Sequence, residues 1–318
     1  MRAVIVNPAS AGGRTGRKWA AFAPTLFEAV GPCEVFKSEA PGHASELARR
    51  CLEQGAEQLI IVGGDGTNHE VINGLFDGEG APHAGLERLS LGFLPMGTGS
   101  DLCRSLGLPR RPAQAVAALR EAPRAFDLIE VELTGWDGLP LRRFAVNVAS
   151  FGISGEVSRR LMEQEKGGAL SYPAAVLAAQ RSYENRSCLL SFDGGAEEEH
   201  RLLAGVIANG QFFGGGMKIA PDALLDSGAL SLVTLGDFSG FDVLRWLLPL
   251  YRGGHLRCEK VNALSGQRLA ARPAPGERGV VPIELDGEPA GCLPAQFKLR
   301  RAALRVHGAR LGAWQTRS

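Results

Sequence analysis

The sequence predicts an α/β plus β fold. An N-terminal, Rossmann-like parallel α/β domain is expected over residues 1–125 and a C-terminal antiparallel β-sandwich over 126–318. A return of the last residues to the first domain is left open. Three observations carry this expectation. Short apolar runs alternate with helix-compatible stretches as far as residue 125, three of those runs end in turns rich in Gly, Ser and Thr, and after Pro123 strand-like segments dominate. A chain of 318 residues is also long for one core.

The first half reads as βα units. Ala3–Val6 leads to a helix at Gly16–Val30, Cys33–Phe36 to His43–Gln54, Leu59–Val62 to Thr67–Leu75, and Leu91–Leu94 to Asp101–Leu106. Such units build a parallel sheet covered by helices, whose ligands bind beyond the carboxyl ends of the strands. Three glycine-rich turns lie at those ends: NPASAGG at 7–13, GGDGTNHEVING at 63–74 and PMGTGSD at 95–101. They could therefore converge on one crevice. Glycine lets the backbone approach a ligand, and N–H groups at a helix start face an anion. Asp65 remains for a metal or a positioning role. Together the turns point to a nucleotide.

The second half reads as strands at Phe126–Leu133, Leu141–Ala149, Cys188–Phe192, Leu202–Ala208, Leu230–Leu235, Ile283–Leu285 and Phe297–Arg300. Helices are expected at Gly155–Glu165, Pro173–Tyr183 and Phe241–Tyr251, and residues 271–282 form a Pro/Gly-rich loop.

Composition narrows the function classes. A formal net charge of +1 argues against nucleic acid as a partner, since phosphate-backbone binding needs a concentrated basic excess. No apolar run is long enough to span a bilayer. The six cysteines form no CxxC pair and no zinc spacing, and with no targeting segment in view they are expected to be buried thiols of a reducing cytoplasm. Familiar phosphate loops are excluded too. The chain has no Gly-Lys dipeptide for a Walker A loop, and neither GGDGTN nor GTGSDL completes a dinucleotide fingerprint. HEVIN at 69–73 ends in Asn73 where a zincin needs His, and GISGE at 152–156 lacks the last glycine of a nucleophile elbow.

GGDGT followed by NHEVINGL, then LGFLPMGTGSDLCRSLGLP, resembles the diacylglycerol kinase catalytic domain, and most nearly the bacterial soluble lipid kinases, which are similar to sphingosine kinases. VNPASAGG at 6–13, NVASFGISGEV at 147–157, ANGQFFGGGMKIAPDALLDSGALSLV at 208–233 and ELDGEPAG at 284–291 extend the match along most of the chain. GGDGT alone is shared with NAD kinases and phosphofructokinases. The ordered set, with GGGMKIAP and LDGE downstream, separates lipid kinases from them.

The resemblance implies a nucleotide domain, a β-sandwich and an active site in the cleft between them. It implies phosphorylation of a lipid hydroxyl with ATP and Mg2+, in lipid metabolism and phospholipid biosynthesis. It places Gly63, Gly64, Asp65, Gly66, Thr67 and Asn68 around the phosphates, with Asn7, Pro8, Ser10 and Gly12 from the first turn, Thr98 from the third, and Ser38 near the nucleotide. Asp101 and Asp127 match acids of a magnesium and water network. Glu288 matches the general base, with Asp65, Asp127 and Asp286 as helpers. Read from the residues alone, Glu288 is a hairpin-turn carboxylate of the usual solvated kind.

Two departures stand out. The family's structural magnesium loop corresponds to residues 224–229, with Leu224, Ser227 and Ala229 at the ligand positions, and Ser227 replaces an aspartate. Serine is a weak, neutral ligand for a hard cation. The site is absent, rebuilt around Asp226, or replaced by hydrogen bonds. Ser100 stands where the third turn usually has asparagine.

A lipid kinase implies a lipid substrate at a membrane surface and peripheral membrane contact from the cytoplasmic side. Phe241–Tyr251, with Trp246 and the following Arg252, His255, Arg257 and Lys260, is the most apolar local segment. The expectation is a helix packed on the sandwich, with an interfacial patch as its alternative. A homodimer through an exposed sandwich edge is left open. The competing functions are an NAD kinase-like small-molecule kinase and a non-catalytic nucleotide- or lipid-binding regulator.

Overall fold

A computed structural model describes residues 1–163 and 172–308. Residues 164–165 of the expected helix Gly155–Glu165, and the chain after 308, lie outside the described residues. Two compact units emerge: Met1–Leu128 with the returning segment from Arg301, and Ile129–Arg300.

The first unit is the expected βα succession. β1 (Arg2–Val6), β2 (Glu34–Lys37), β3 (Gln58–Gly63) and β4 (Ser90–Pro95) pair in parallel in the order β2-β1-β3-β4. All six residues of β3 and of β4 are buried, as continuous apolar runs covered on both faces should be. α1 (Arg14–Val30) packs Trp19, Leu26 and Val30 against Val4, Val6, Ile60, Val62 and Leu94. α2 (His43–Glu53) and α3 (Asp65–Asn73) follow β2 and β3, and α4 (Asp101–Ser105) follows β4. A short helix, α5 (Pro112–Ala115), runs into a 3-10 turn at Val116–Arg120 that the sequence reading passes over. The returning segment sets Val306 beside Leu91 of β4, and His307 is fixed by Ser90, Gln58 and the Glu121 carbonyl.

The order of strands matters for function. The chain leaves β1 toward β2 on one side and resumes at β3 on the other, so the switch in direction lies between β1 and β3. That is where open α/β sheets hold ligands.

The second unit is antiparallel. β7 (Val148–Gly152), β10 (Ala204–Ala208), β11 (Leu230–Leu235), β12 (Val261–Gly266) and β14 (Pro282–Leu285) join in the order β12-β11-β10-β7-β14. Beside β14 runs β15 (Glu288–Val306), whose residues 295–298 pair with β13 (Arg268–Pro273). β13 pairs with β8 (Arg186–Phe192), and β8 with β9 (Glu198–Leu202). β5 (Arg124–Thr134) and β6 (Pro140–Ala145) form a hairpin. Along β15, buried Gly291, Leu293, Ala295 and Phe297 alternate with less buried neighbours, the period-two signature of a strand with one face on the core. Phe151, Leu190, Ile207, Leu232, Leu269, Ile283 and Phe297 meet in that core.

The helices of this unit are α6 (Ile153–Glu163), α7 (Tyr172–Gln180) and α8 (Gly240–Leu250). Two expectations need correction. Leu141–Ala149 is two strands, broken at 146–147, where backbone N–H groups turn toward Asp286. Leu202–Ala208 is likewise broken at Leu203, whose N–H donates to Leu235 and Gly236 carbonyls. In addition, the expected loop 271–282 begins inside β13.

Candidate active site

The three glycine turns of the first unit are fastened to one another. Asn7 Nδ2 donates to Thr67 Oγ1 at 2.9 Å, joining the turns after β1 and β3 across the switch point. Thr15 Oγ1 donates to the Met96 carbonyl at 3.0 Å and contacts Ser10 Oγ at 2.5 Å, joining the first turn to the third. Asp65 joins the second to the third, accepting the Asp101 N–H at Oδ2 (2.9 Å) and the Leu102 N–H at Oδ1 (3.2 Å). Its carboxylate thus caps α4 rather than its own helix, whose N-cap residue is Gly64. The loops touch so closely that a Cβ on Gly97 would stand 2.3 Å from Gly64 Cα, so residue 97 has to be glycine.

The N-cap residues of α1 and α3 are glycines, Gly13 and Gly64, with no side chain to cap with. At α1 the N–H groups of Arg14, Thr15 and Gly16 instead donate to the Ala11, Ser10 and Pro8 carbonyls. A helix N-terminus such as that of α3 presents N–H groups and a positive dipole end to an anion. Gly12 has φ +63° with open space around its Cα, and the Pro8 carbonyl accepts the Gly16 N–H at 3.1 Å. Asn68 and Thr67 are buried in α3, Gly66 is half-buried, and Thr98 is exposed. Ser38 is buried just past β2, its N–H donating to the Val6 carbonyl at 2.9 Å. Asp101 is buried and paired with the Arg104 guanidinium. Buried Asp127 accepts the Ala302 N–H at 2.8 Å, which holds the returning segment to the first unit.

In the second unit, β14 and β15 meet in a two-residue turn at Asp286 and Gly287, with φ +53° and +95°. Asp-Gly is the pair that suits a primed hairpin turn, because both residues need positive φ. Asp286 is also an anchor: Oδ1 accepts the N–H groups of Asn147 (2.9 Å) and Val148 (3.1 Å), and Oδ2 accepts that of Val146 (3.0 Å). Asn147 continues the junction, its Nδ2 donating to the Phe212 carbonyl at 2.7 Å while its own carbonyl accepts from Asn209 and Gly210. The segments NVAS, ANG and LDGE therefore converge, and half-buried Glu288 is the first residue of β15.

Models of two families match the chain. The "Diacylglycerol kinase catalytic domain" covers residues 2–131, and the "YegS C-terminal NAD kinase beta sandwich-like domain" covers 147–308. A Pseudomonas fluorescens protein named "Probable lipid kinase YegS-like" is 33% identical over 270 residues, covering 84% of this chain and 82% of its own. This chain belongs to the YegS-like lipid kinase family. A crystal structure of a diacylglycerol kinase from Bacillus anthracis str. Sterne shares the fold, with a TM-score of 0.66 at 18% identity over 96% of this chain and 95% of its own. An NAD kinase from Archaeoglobus fulgidus, in complex with ATP, is a more distant likeness of fold. Its TM-score is 0.52 at 12% identity, over 98% of this chain and 94% of its own.

Within this lipid kinase, the loop 224–229 does not fit a structural magnesium. Ser227 Oγ lies 3.0 Å from the Leu224 carbonyl and 2.9 Å from the Ala229 carbonyl, and accepts the Ala229 N–H at 3.3 Å. The hydroxyl occupies the place between the two carbonyls that a cation would need. Asp226 is exposed, and among the described residues no three His, Cys, Asp or Glu side chains gather as a metal site.

Glu284 escaped the sequence reading. It is 2% exposed, and Ser150 Oγ donates to its Oε1 at 2.9 Å while Ser158 Oγ donates to Oε2. Ser154 Oγ lies 2.7 Å from Ser150 Oγ, which accepts its proton. Burial pushes the Glu284 carboxyl above its ordinary value, and the nearby Asp286 and Glu288 add to that shift. The available signals were an acid inside the apolar strand PIEL and the four-residue spacing of Ser150, Ser154 and Ser158.

Proposed function

We propose that this protein is an ATP-dependent lipid kinase that moves the γ-phosphate of ATP to the hydroxyl of a diacylglycerol-like lipid alcohol. The observation that carries the reading is the fastening of three strand-end turns by Asp65 and Asn7, in a chain of the lipid kinase family. Phosphoryl transfer asks mainly for placement of the phosphates and for positive charge. Gly63–Thr67 and the start of α3 would hold the phosphates through N–H groups, with Ser10, Gly12, Ser38, Asn68 and Thr98 along the nucleotide. Magnesium bound with the nucleotide supplies charge that offsets the developing negative charge, and Asp101 and Asp127 would orient its water shell.

Glu288 would act as general base. The lipid oxygen bonds to the γ-phosphorus, the bond from that phosphorus to the bridging β–γ oxygen breaks, ADP leaves, and the hydroxyl proton passes to the Glu288 carboxylate. The substrate reaches the protein from a membrane surface on the cytoplasmic side, with no spanning helix among the described residues.

The test incubates the purified chain with γ-labelled ATP and, in separate arms, fractionated lipids and NAD, identifying the product by mass. A labelled lipid supports the reading, and labelled NAD would replace it with an NAD kinase. ATP binding without turnover in any arm would favour a non-catalytic regulator. Glu288→Gln should fold and bind ATP while turnover falls by about 10²–10⁴-fold.

A further inference from the structure

α8 turns one apolar face inward and another outward. Val243 is buried, and Trp246 packs on a cluster with Val157, Ala179 and Phe238. Phe241, Leu244 and Leu248, spaced three and four residues apart on the opposite side, are 71%, 62% and 78% exposed. α8 is packed as expected, yet three large side chains on its outer stripe are left in water. Single exposed hydrophobics are ordinary, but an aligned stripe marks an interaction surface.

The charges beside the stripe indicate what covers it. Arg245 lies on the same side, with its guanidinium 5.5 Å from the Trp246 ring centroid, and exposed Arg252 follows the helix end. Neither arginine has an ion-pair partner among the described residues. Asp242, the one acid on α8, is engaged in the Ser239 capping box and with Lys260 Nζ at 2.7 Å. An apolar stripe bordered by unneutralised arginines complements an anionic lipid surface. A second copy would set arginine toward arginine. Eleven residues make a helix about 16 Å long, against roughly 30 Å of bilayer core, so α8 can lie in a membrane surface and cannot span it.

We infer that α8 is the surface on which this protein docks to an anionic bilayer, with Phe241, Leu244 and Leu248 in the acyl boundary and Arg245 and Arg252 among the headgroup phosphates. The choice of occupant rests on the lipid kinase reading.

The experiment sediments the full chain with vesicles of phosphatidylcholine alone and of phosphatidylcholine mixed with phosphatidylglycerol, at low and high salt. The wild type should prefer the anionic vesicles and lose binding as salt rises. The triple variant Phe241→Ser, Leu244→Ser, Leu248→Ser should bind at least about ten-fold more weakly with an unchanged circular dichroism spectrum. Arg245→Gln with Arg252→Gln should abolish the preference for phosphatidylglycerol. Wild type that ignores every vesicle, or a triple variant that binds as well as wild type, would overturn the inference. So would a wild-type dimer that ignores vesicles and that the triple variant converts to monomer. Phosphorylation of a short-chain diacylglycerol dispersed in detergent separates docking from chemistry. The triple variant should retain it, whereas vesicle binding without any phosphorylation would sink the kinase reading and leave docking standing.

Discussion

The Asp65 carboxylate holds the backbone N–H of Asp101 at 2.9 Å, and of its neighbour Leu102 at 3.2 Å, so the acid of one glycine turn is the helix cap of another. A charged acceptor on the first turn of α4 gains from both hydrogen bonds and the helix dipole. Asp65→Asn keeps the shape but removes the charge and points an amide toward one donor. It should cost about 1–2 kcal/mol in urea unfolding and weaken ATP binding by more than about ten-fold. An unchanged ATP affinity alongside the stability loss would confine Asp65 to scaffolding.

Asp286 is held as firmly in the second unit. Its side chain satisfies three N–H groups at the start of β7, and its own N–H donates to the Val148 carbonyl at 2.8 Å. Asp286→Ala leaves those donors without their acceptor and should destabilise the protein by about 2–4 kcal/mol in denaturant unfolding. Lost turnover with undiminished stability would instead place Asp286 in the chemistry.

Much of this was legible in the sequence. β1, β3 and β4 are apolar runs flanked by glycine turns, and Ala3–Val6, Leu59–Val62 and Leu91–Leu94 each fall inside the observed strand. The meeting of the three turns followed from their position at carboxyl strand ends. What the turns do for each other was not legible, because Asp65 capping a helix 36 residues away is a tertiary fact. β12 escaped because Asn262–Ser265 are all exposed, leaving no alternation to read. β13 escaped because its last residues, Ala271–Pro273, open the Pro/Gly-rich stretch and read as loop. Glu284 escaped because one acid in a four-residue strand looks like the approach to a turn, and only the fold supplies Ser150 and Ser158.

Glu284 makes stability depend on pH in a stated direction. Burial, with Asp286 and Glu288 adding to it, raises its folded-state pKa above the ordinary 4.5, while the serine hydroxyls oppose the shift. A carboxyl raised in the folded state contributes stability that is fully present below its unfolded value and is lost as pH rises through the folded one. Glu284→Gln stays neutral at every pH. The melting temperature of Glu284→Gln minus that of wild type should therefore grow as pH rises above 4.5. A gap that stays flat or shrinks across that range would show the wild-type carboxyl to be ionised without penalty.

Ser227 sets the metal dependence of the loop after Leu224. Its hydroxyl bridges the two carbonyls that a cation would have to share, so the loop closes on hydrogen bonds alone. The wild type, without nucleotide, should melt at the same temperature in EDTA and in magnesium. Ser227→Ala should lose about 1 kcal/mol in either condition, since a net hydrogen bond is worth about that much. Ser227→Asp returns a carboxylate between the same carbonyls and should create a magnesium-dependent gain. That gain follows mass action, about 2.7 kcal/mol when magnesium is at about 100 times its dissociation constant. Magnesium stabilising the nucleotide-free wild type as strongly as Ser227→Asp would show that the hydroxyl does not replace the ion.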